Sequence, residues 1–171
     1  RSVTVATAGL GSRDAFLAAE RQHTELLAWL PQNGKDGTAP QSLAGYLFPD
    51  TYHFSRHTTP VQILAAMVRR FRQVSAQLGL SDNVQQTVIM ASIVEKEVSQ
   101  DAERPLVAGV FVNRLARGIP LATDPTVIYA ALLEGRWRGT IYASDLQSTS
   151  PYNTYKRTGL PPGPICNPGV A

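Results

Sequence analysis

A proline placed directly after a capping or charged residue restricts this chain more than any other feature. Thr59-Pro60, Arg104-Pro105 after Glu103, and Asp124-Pro125 all read as helix starts. Proline at the first helical position forfeits no bond and presets φ. A glycine then stops each run, at Gly79, Gly118 and Gly135. The spacing predicts helices over 60–78, 105–117 and 125–134. In the first, Val61, Leu64, Val68, Phe71, Ser75 and Leu78 fall on one face. In the second, Val107, Val110, Phe111 and Leu115 face inward. Ser81 and Asp82 can cap a further helix over 84–98, carrying Val84, Val88, Ala91, Val94 and Val98. Upstream, Phe16, Leu17, Leu26, Leu27 and Leu30 suggest a helix over 12–30 that Pro31 ends.

Three stretches resist a helical assignment. Residues 31–40 hold two glycines and a Lys-Asp pair, a surface loop. Residues 45–54 are aromatic-rich and interrupted by Pro49, so extended structure around a turn is expected, with a small sheet at 46–54. Pro151, Pro161, Pro162, Pro164 and Pro168 mark the last twenty residues as an ordered loop. The expected fold class is α+β, mainly helical with a small β-sheet. The 171 residues suit a single domain. With 43% apolar and 17% charged residues, a disordered or collagen-like chain is excluded. No apolar run approaches the ~18 residues that span a bilayer. Net charge +3 permits a polyanionic partner, nucleic acid or a cell-wall polymer. The arginines at 69, 70, 72, 114, 117, 136 and 138 are scattered, which argues against nucleic acid. The lone Cys166 excludes an internal disulfide. A start at Arg1 and an end within Asn167-Pro168-Gly169-Val170-Ala171 suggest an excised domain.

The segment Met90-Ala91-Ser92-Ile93-Val94-Glu95-Lys96-Glu97-Val98 is where chemistry is most expected. A hydrophobic helix that acquires two glutamates is either reaching solvent or holding a carboxyl in an apolar wall. Behind Glu97 stand Ile93 and Val94, with Met90 a turn further; behind Glu95 stand Ala91 and Ser92. The two carboxyls are about 200° apart around the axis, so they cannot share a pocket. Glu97 has the more apolar neighbours, and desolvation there would raise its pKa, as a proton-holding acid requires. The competing assignment is a helix end with solvated charges.

Other candidates carry less. Thr123-Asp124-Pro125-Thr126 is first of all a helix cap. Tyr152-Asn153-Thr154-Tyr155, followed by Gly159-Leu160-Pro161-Pro162-Gly163-Pro164, offers rings and amides suited to sugar faces and hydroxyls, or else a rigid loop packed on the core. His53 and His57 are four apart, but Pro49 argues against a helix there and no third ligand is evident, so no metal is expected. Cys166 has no nearby histidine to act as base. Phosphate-loop, dinucleotide and nucleophile-elbow glycine motifs are absent, and no cofactor is expected.

The blocks Gly45-Tyr46-Leu47-Phe48-Pro49-Asp50-Thr51-Tyr52, Ala91-Ser92-Ile93-Val94-Glu95-Lys96-Glu97, Val110-Phe111-Val112-Asn113-Arg114-Leu115, Asp124-Pro125-Thr126-Val127-Ile128-Tyr129, and Tyr152-Asn153-Thr154-Tyr155 with Gly159-Leu160-Pro161-Pro162-Gly163 occur in one order. In that order the chain resembles the YceG-like (MltG) family of endolytic murein transglycosylases. The resemblance covers most of the chain from Gly45 onward; the first 44 or so residues show nothing specific. It implies a single catalytic domain over 1–171, with part of the family domain missing at the C-terminus and a distantly lysozyme-like active-site helix. It implies Glu97 as the catalytic acid/base, with Glu95, Asp124, Thr126, Asn153 and Tyr155 binding substrate. The implied reaction cuts the β-1,4 bond between N-acetylmuramic acid and N-acetylglucosamine, leaves 1,6-anhydro ends and limits glycan strand length. The implied partners are peptidoglycan strands and peptidoglycan synthases, with no nucleic acid and no membrane contact by this segment. The implied place is the cell envelope, with the parent held in the cytoplasmic membrane and this domain facing the wall. Ala44, Ala122 and Val98 depart from the family pattern, which has glutamate, a polar residue and a small residue there. A wall-binding domain without catalysis and a muramidase using water are the alternatives.

Overall fold

The computed structural model describes residues 10–30 and 40–170. It divides into two compact units, Arg1–Gln85 and Gln86–Ala171. Six α-helices occur among the described residues: α1 Arg13–Gln22, α2 Pro60–Gln77, α3 Val84–Glu97, α4 Arg104–Ala116, α5 Asp124–Leu133 and the single turn α6 Ala143–Leu146.

The start and stop signals act as the sequence indicates. Thr59 and Gln62 form a reciprocal capping box at the head of α2, satisfying two backbone N–H groups. At the other ends, Gly79, Gly118 and Gly135 take φ of +68°, +65° and +67°. In each case the next residue returns its N–H to the carbonyl five back: Leu80 to Ser75, Ile119 to Arg114, Arg136 to Ala131. That closure needs the left-handed conformation that glycine adopts without penalty.

In the first unit α1 packs on α2. The helix expected over 12–30 breaks at His23, whose backbone is no longer helical, and resumes as a 3-10 turn at Thr24–Leu27. The anticipated sheet at 46–54 is not formed; no strand occurs among the described residues. The reason is where the backbone bonds go. Phe48 N–H donates to the Met67 carbonyl of α2 rather than to a strand, and Tyr46 N–H turns back to Leu43. Tyr46 meets Phe71 edge to face at 5.3 Å, while Arg70 lies over the Phe48 ring and pairs with Asp50 at 2.7 Å. The aromatic run is therefore a strap along a helix. Burial pushes the Tyr46 phenol up to about 12. Of the loop expected over 31–40, all but Pro40 lies outside the described residues.

In the second unit a cluster of Ile89, Ile93, Val94, Phe111, Leu121 and Ile165 joins α3, α4 and the C-terminal loop. Burying side chains of this kind contributes roughly 1.5–3 kcal/mol each. Two expected inward residues face out: Val110 is 50% exposed, as is Leu78 of the first unit at 53%. Ser81 and Asp82 bond to each other, and Asn83, at φ +53°, leads into α3. Residues 152–170 form the expected loop, and Ser92 anchors it. Ser92 Oγ accepts from Ile165 N–H at 3.0 Å and donates to the Ile89 carbonyl at 2.7 Å.

Candidate active site

All six residues singled out for chemistry fall in the second unit, where five of them separate into two layers. The exposed layer holds Glu97, Asp124 and Tyr155. Glu97 ends α3, and Asp124 is the first residue of α5. The Tyr155 hydroxyl donates to Asp124 Oδ1 at 2.6 Å, across 31 residues of sequence. That bond, followed by burial and the charges of Asp124 and Glu97, pushes the phenol up to about 12, against the pull of Arg114. Tyr155 therefore stays a neutral donor across the physiological range.

The apolar wall expected around Glu97 is not built. Ile93 and Val94 turn into the core, and the carboxylate itself is exposed. What holds it is polar: Thr123 Oγ1 donates to Glu97 Oε2 at 2.5 Å. Thr123 occupies the N-cap of α5, yet its hydroxyl makes no capping bond. The cap position falls one residue before the Asp124 expected from sequence, and its hydroxyl is spent on the carboxylate. One oxygen of Glu97 is engaged and Oε1 is left for other work.

Beneath lies a buried layer that fixes Thr123. Thr154 Oγ1 accepts from Thr123 N–H at 3.2 Å and shares a 2.8 Å bond with Thr126 Oγ1, which also bonds the Thr123 carbonyl at 2.8 Å. Ala122, at φ +49°, donates its N–H to the Thr154 carbonyl at 3.0 Å. A left-handed alanine costs about 1–2 kcal/mol. The turn is held there by that bond and by Arg114, whose guanidinium donates to the Leu121 carbonyl.

Two of the residues expected to bind substrate lie in this layer, where Asn153 and Thr126 are fully buried. Asn153 Nδ2 donates to the Leu146 and Ser148 carbonyls at 3.0 and 2.8 Å, and its Oδ1 accepts from Tyr155 N–H at 3.0 Å. It is a splice that sets the backbone carrying Tyr155. Glu95 points elsewhere: it pairs with Arg104 at 3.4 Å, and Arg104 also meets Asp101 at 3.2 Å. Thr154 and Arg114 also support the Thr123 turn, and neither is marked by the sequence. A threonine three residues from another is an ordinary cap signal, and nothing in the spacing reveals a third hydroxyl closing on them from 28 residues downstream. Val98, a departure from the expected pattern, packs against the apolar cluster. No group of three potential metal ligands occurs among the described residues.

The model of the YceG-like family matches residues 5–171. The chain belongs to the YceG-like family. It is 42% identical over 135 residues to an endolytic murein transglycosylase of Bacillus subtilis (strain 168), covering 75% of this chain and 37% of that protein. It is 36% identical over 177 residues to an endolytic murein transglycosylase of Streptococcus pneumoniae serotype 2 (strain D39), covering 92% of this chain and 31% of that one. A crystal structure of a yceG-like protein from Listeria monocytogenes superposes with a TM-score of 0.76 at 33% identity, over 97% of this chain and 57% of that chain. The chain thus spans about a third of the length of the curated relatives it matches.

Proposed function

We propose that this YceG-like chain carries the catalytic site of a peptidoglycan lytic transglycosylase, with Glu97 as the proton carrier. The observation that carries the proposal is the exposed Glu97 carboxyl clamped by Thr123 at 2.5 Å. The names of its relatives support the substrate class. Glu97 Oε1 protonates the glycosidic oxygen as positive charge grows on the muramoyl ring. The same carboxylate then takes the proton from the muramoyl C6 hydroxyl, whose oxygen closes on C1. The C1–O bond to the leaving sugar breaks, the C1–O6 bond forms, and the proton count is conserved. No second carboxylate is required, unlike hydrolysis by an ordinary glycosidase. A bound strand lying over Glu97 would exclude water where the chain itself does not. Asp124 and Tyr155, accessible and bonded to each other, hold sugar hydroxyls or the acetamido group. Asn153, Thr126, Thr154 and Thr123 set their positions.

The same proposal places the domain at the cell envelope, in a parent anchored in the cytoplasmic membrane and working beside peptidoglycan synthases; the family resemblance is its support. No helix among the described residues is long and apolar enough to cross a membrane. The test is mass spectrometry of purified glycan strands incubated with the whole protein. Anhydro-muramoyl ends are expected. Reducing ends would make it a muramidase, and intact strands a wall-binding domain.

A further inference from the structure

Next to the threonine layer lies a pocket that the chemistry above does not use. It is an open cleft of about 530 Å³ lined by residues between Pro151 and Pro162, among them Thr154, Lys156, Arg157 and Thr158. That volume is in the range of small-ligand sites. Pro151, Pro161 and Pro162 stiffen its lining, and the lining residue Thr154 also supports Thr123.

Its charge is one-sided. Lys156 and Arg157 are both exposed, no acidic residue lines the pocket, and neither cation makes an ion pair among the described residues. Arg157 is partly steadied: one Nη2 hydrogen goes to the Thr149 carbonyl at 3.3 Å, leaving other N–H groups of the fork free. Two unneutralised cations beside a hydroxyl, in a rigid concavity, are the donor set for a carboxylate.

We propose that this pocket is a subsite for the carboxylates of the peptide stem carried by the muramoyl unit. The assignment rests on the transglycosylase proposal, because that defines the strand. The stem leaves the muramoyl ring through the lactyl ether on C3, and the bond to be cut is on C1 of the same ring. A stem-binding surface must therefore lie close to the proton carrier. Only one residue separates them here: Thr154 bonds the Thr123 backbone, and the Thr123 hydroxyl bonds Glu97. The pocket thus makes the site a reader of stem-bearing strands rather than of bare glycan.

The experiment compares three substrates from one preparation of strands: stem-bearing, stripped of stems by an amidase with the lactyl carboxylates so exposed then converted to amides, and stem-bearing with the carboxylates converted to amides. Cleavage and equilibrium binding are measured for the whole wild-type protein and for a Lys156→Ala/Arg157→Ala variant. Wild type should favour stem-bearing over stripped strands by roughly five- to tenfold, mostly in KM and Kd, as two partly exposed charge contacts allow. Amidation should erase the preference, and the double variant should show a ratio near one. A wild type without preference, or a double variant that keeps it, overturns the subsite. Absence of cleavage overturns the catalytic proposal instead, and the ratio of binding constants still decides the pocket.

Discussion

The two compact units bury different things. In the first, Phe16, Ile63, Leu64, Met67 and Phe71 are buried, and Ser75 is the buried polar residue among those described. The second buries Ser92, Thr123, Thr126, Asp145, Ser150, Asn153 and Thr154. Both units hold buried polar atoms without a hydrogen-bond partner, Trp29 Nε1 and the Tyr46 hydroxyl in the first and Gln86 Oε1, Glu95 Oε2 and Arg104 Nε in the second, but Asn153 and the threonines beneath Glu97 are bonded. Apolar packing is non-directional and fixes orientation loosely. A buried polar network fixes orientation and costs heavily when one member is lost. The unit that carries Glu97 is the one in which orientation is specified.

That contrast can be broken or sharpened by substitution. The largest effect is expected at Asn153. Asn153→Leu strands buried carbonyls and the Tyr155 N–H, so chemical denaturation should show a loss of about 3 kcal/mol, with activity falling as Tyr155 shifts. A loss below about 1 kcal/mol would mean the network is not the support claimed here. Next comes Thr123→Val, which keeps volume and removes the donor to Glu97. Steady-state assays on glycan strands should show kcat down by about 10- to 100-fold with KM nearly unchanged, and Thr123→Ser should restore most of it. A KM effect alone would assign Thr123 to substrate binding. In the first unit the opposite sign is expected: Tyr46→Phe removes an unpaired buried hydroxyl and should be neutral or stabilising by up to about 1 kcal/mol.

A further expectation concerns the acid response and Asp145. Tyr142 N–H, bonded at 2.9 Å, and then Arg136 hold its carboxyl below the usual aspartate range, with Arg138 adding to the field and burial opposing them. A depressed pKa contributes stability above the unfolded value of about 3.9, and that stability is lost as pH falls through the lower folded value. Urea titrations from neutrality downward should show the acid slope flattened in Asp145→Asn. An unchanged slope would remove Asp145 from the acid response.

Much of the helical frame was legible because Thr59-Pro60, Asp124-Pro125 and the stopping glycines are local signals with local causes. The sheet expected around Pro49 failed because hydropathy cannot say whether Tyr46 and Phe48 will find a strand or the flank of α2. The site was half legible. Glu97 stood out as a charge on an apolar helix, but its neighbours by helical spacing pack into the core and leave the carboxylate exposed. Its partner Thr123 comes from a different element, and a contact between elements leaves no trace in periodicity. Asn153 looked like a sugar ligand because amides suit hydroxyls; they suit backbone carbonyls equally well.

The central claim is that Glu97, rather than Glu95 two residues away, moves the proton. Glu97→Gln preserves shape, and Thr123 can still donate to its amide oxygen. Glu95→Gln only weakens the Arg104 pair. Anhydro-muramoyl product should be quantified by mass spectrometry for both variants under single-turnover conditions, with thermal unfolding as the control for integrity. A fall of about 10²–10⁴-fold is expected for Glu97→Gln and a much smaller one for Glu95→Gln. Near-normal product from Glu97→Gln, with a folded but inactive Glu95→Gln, would contradict it.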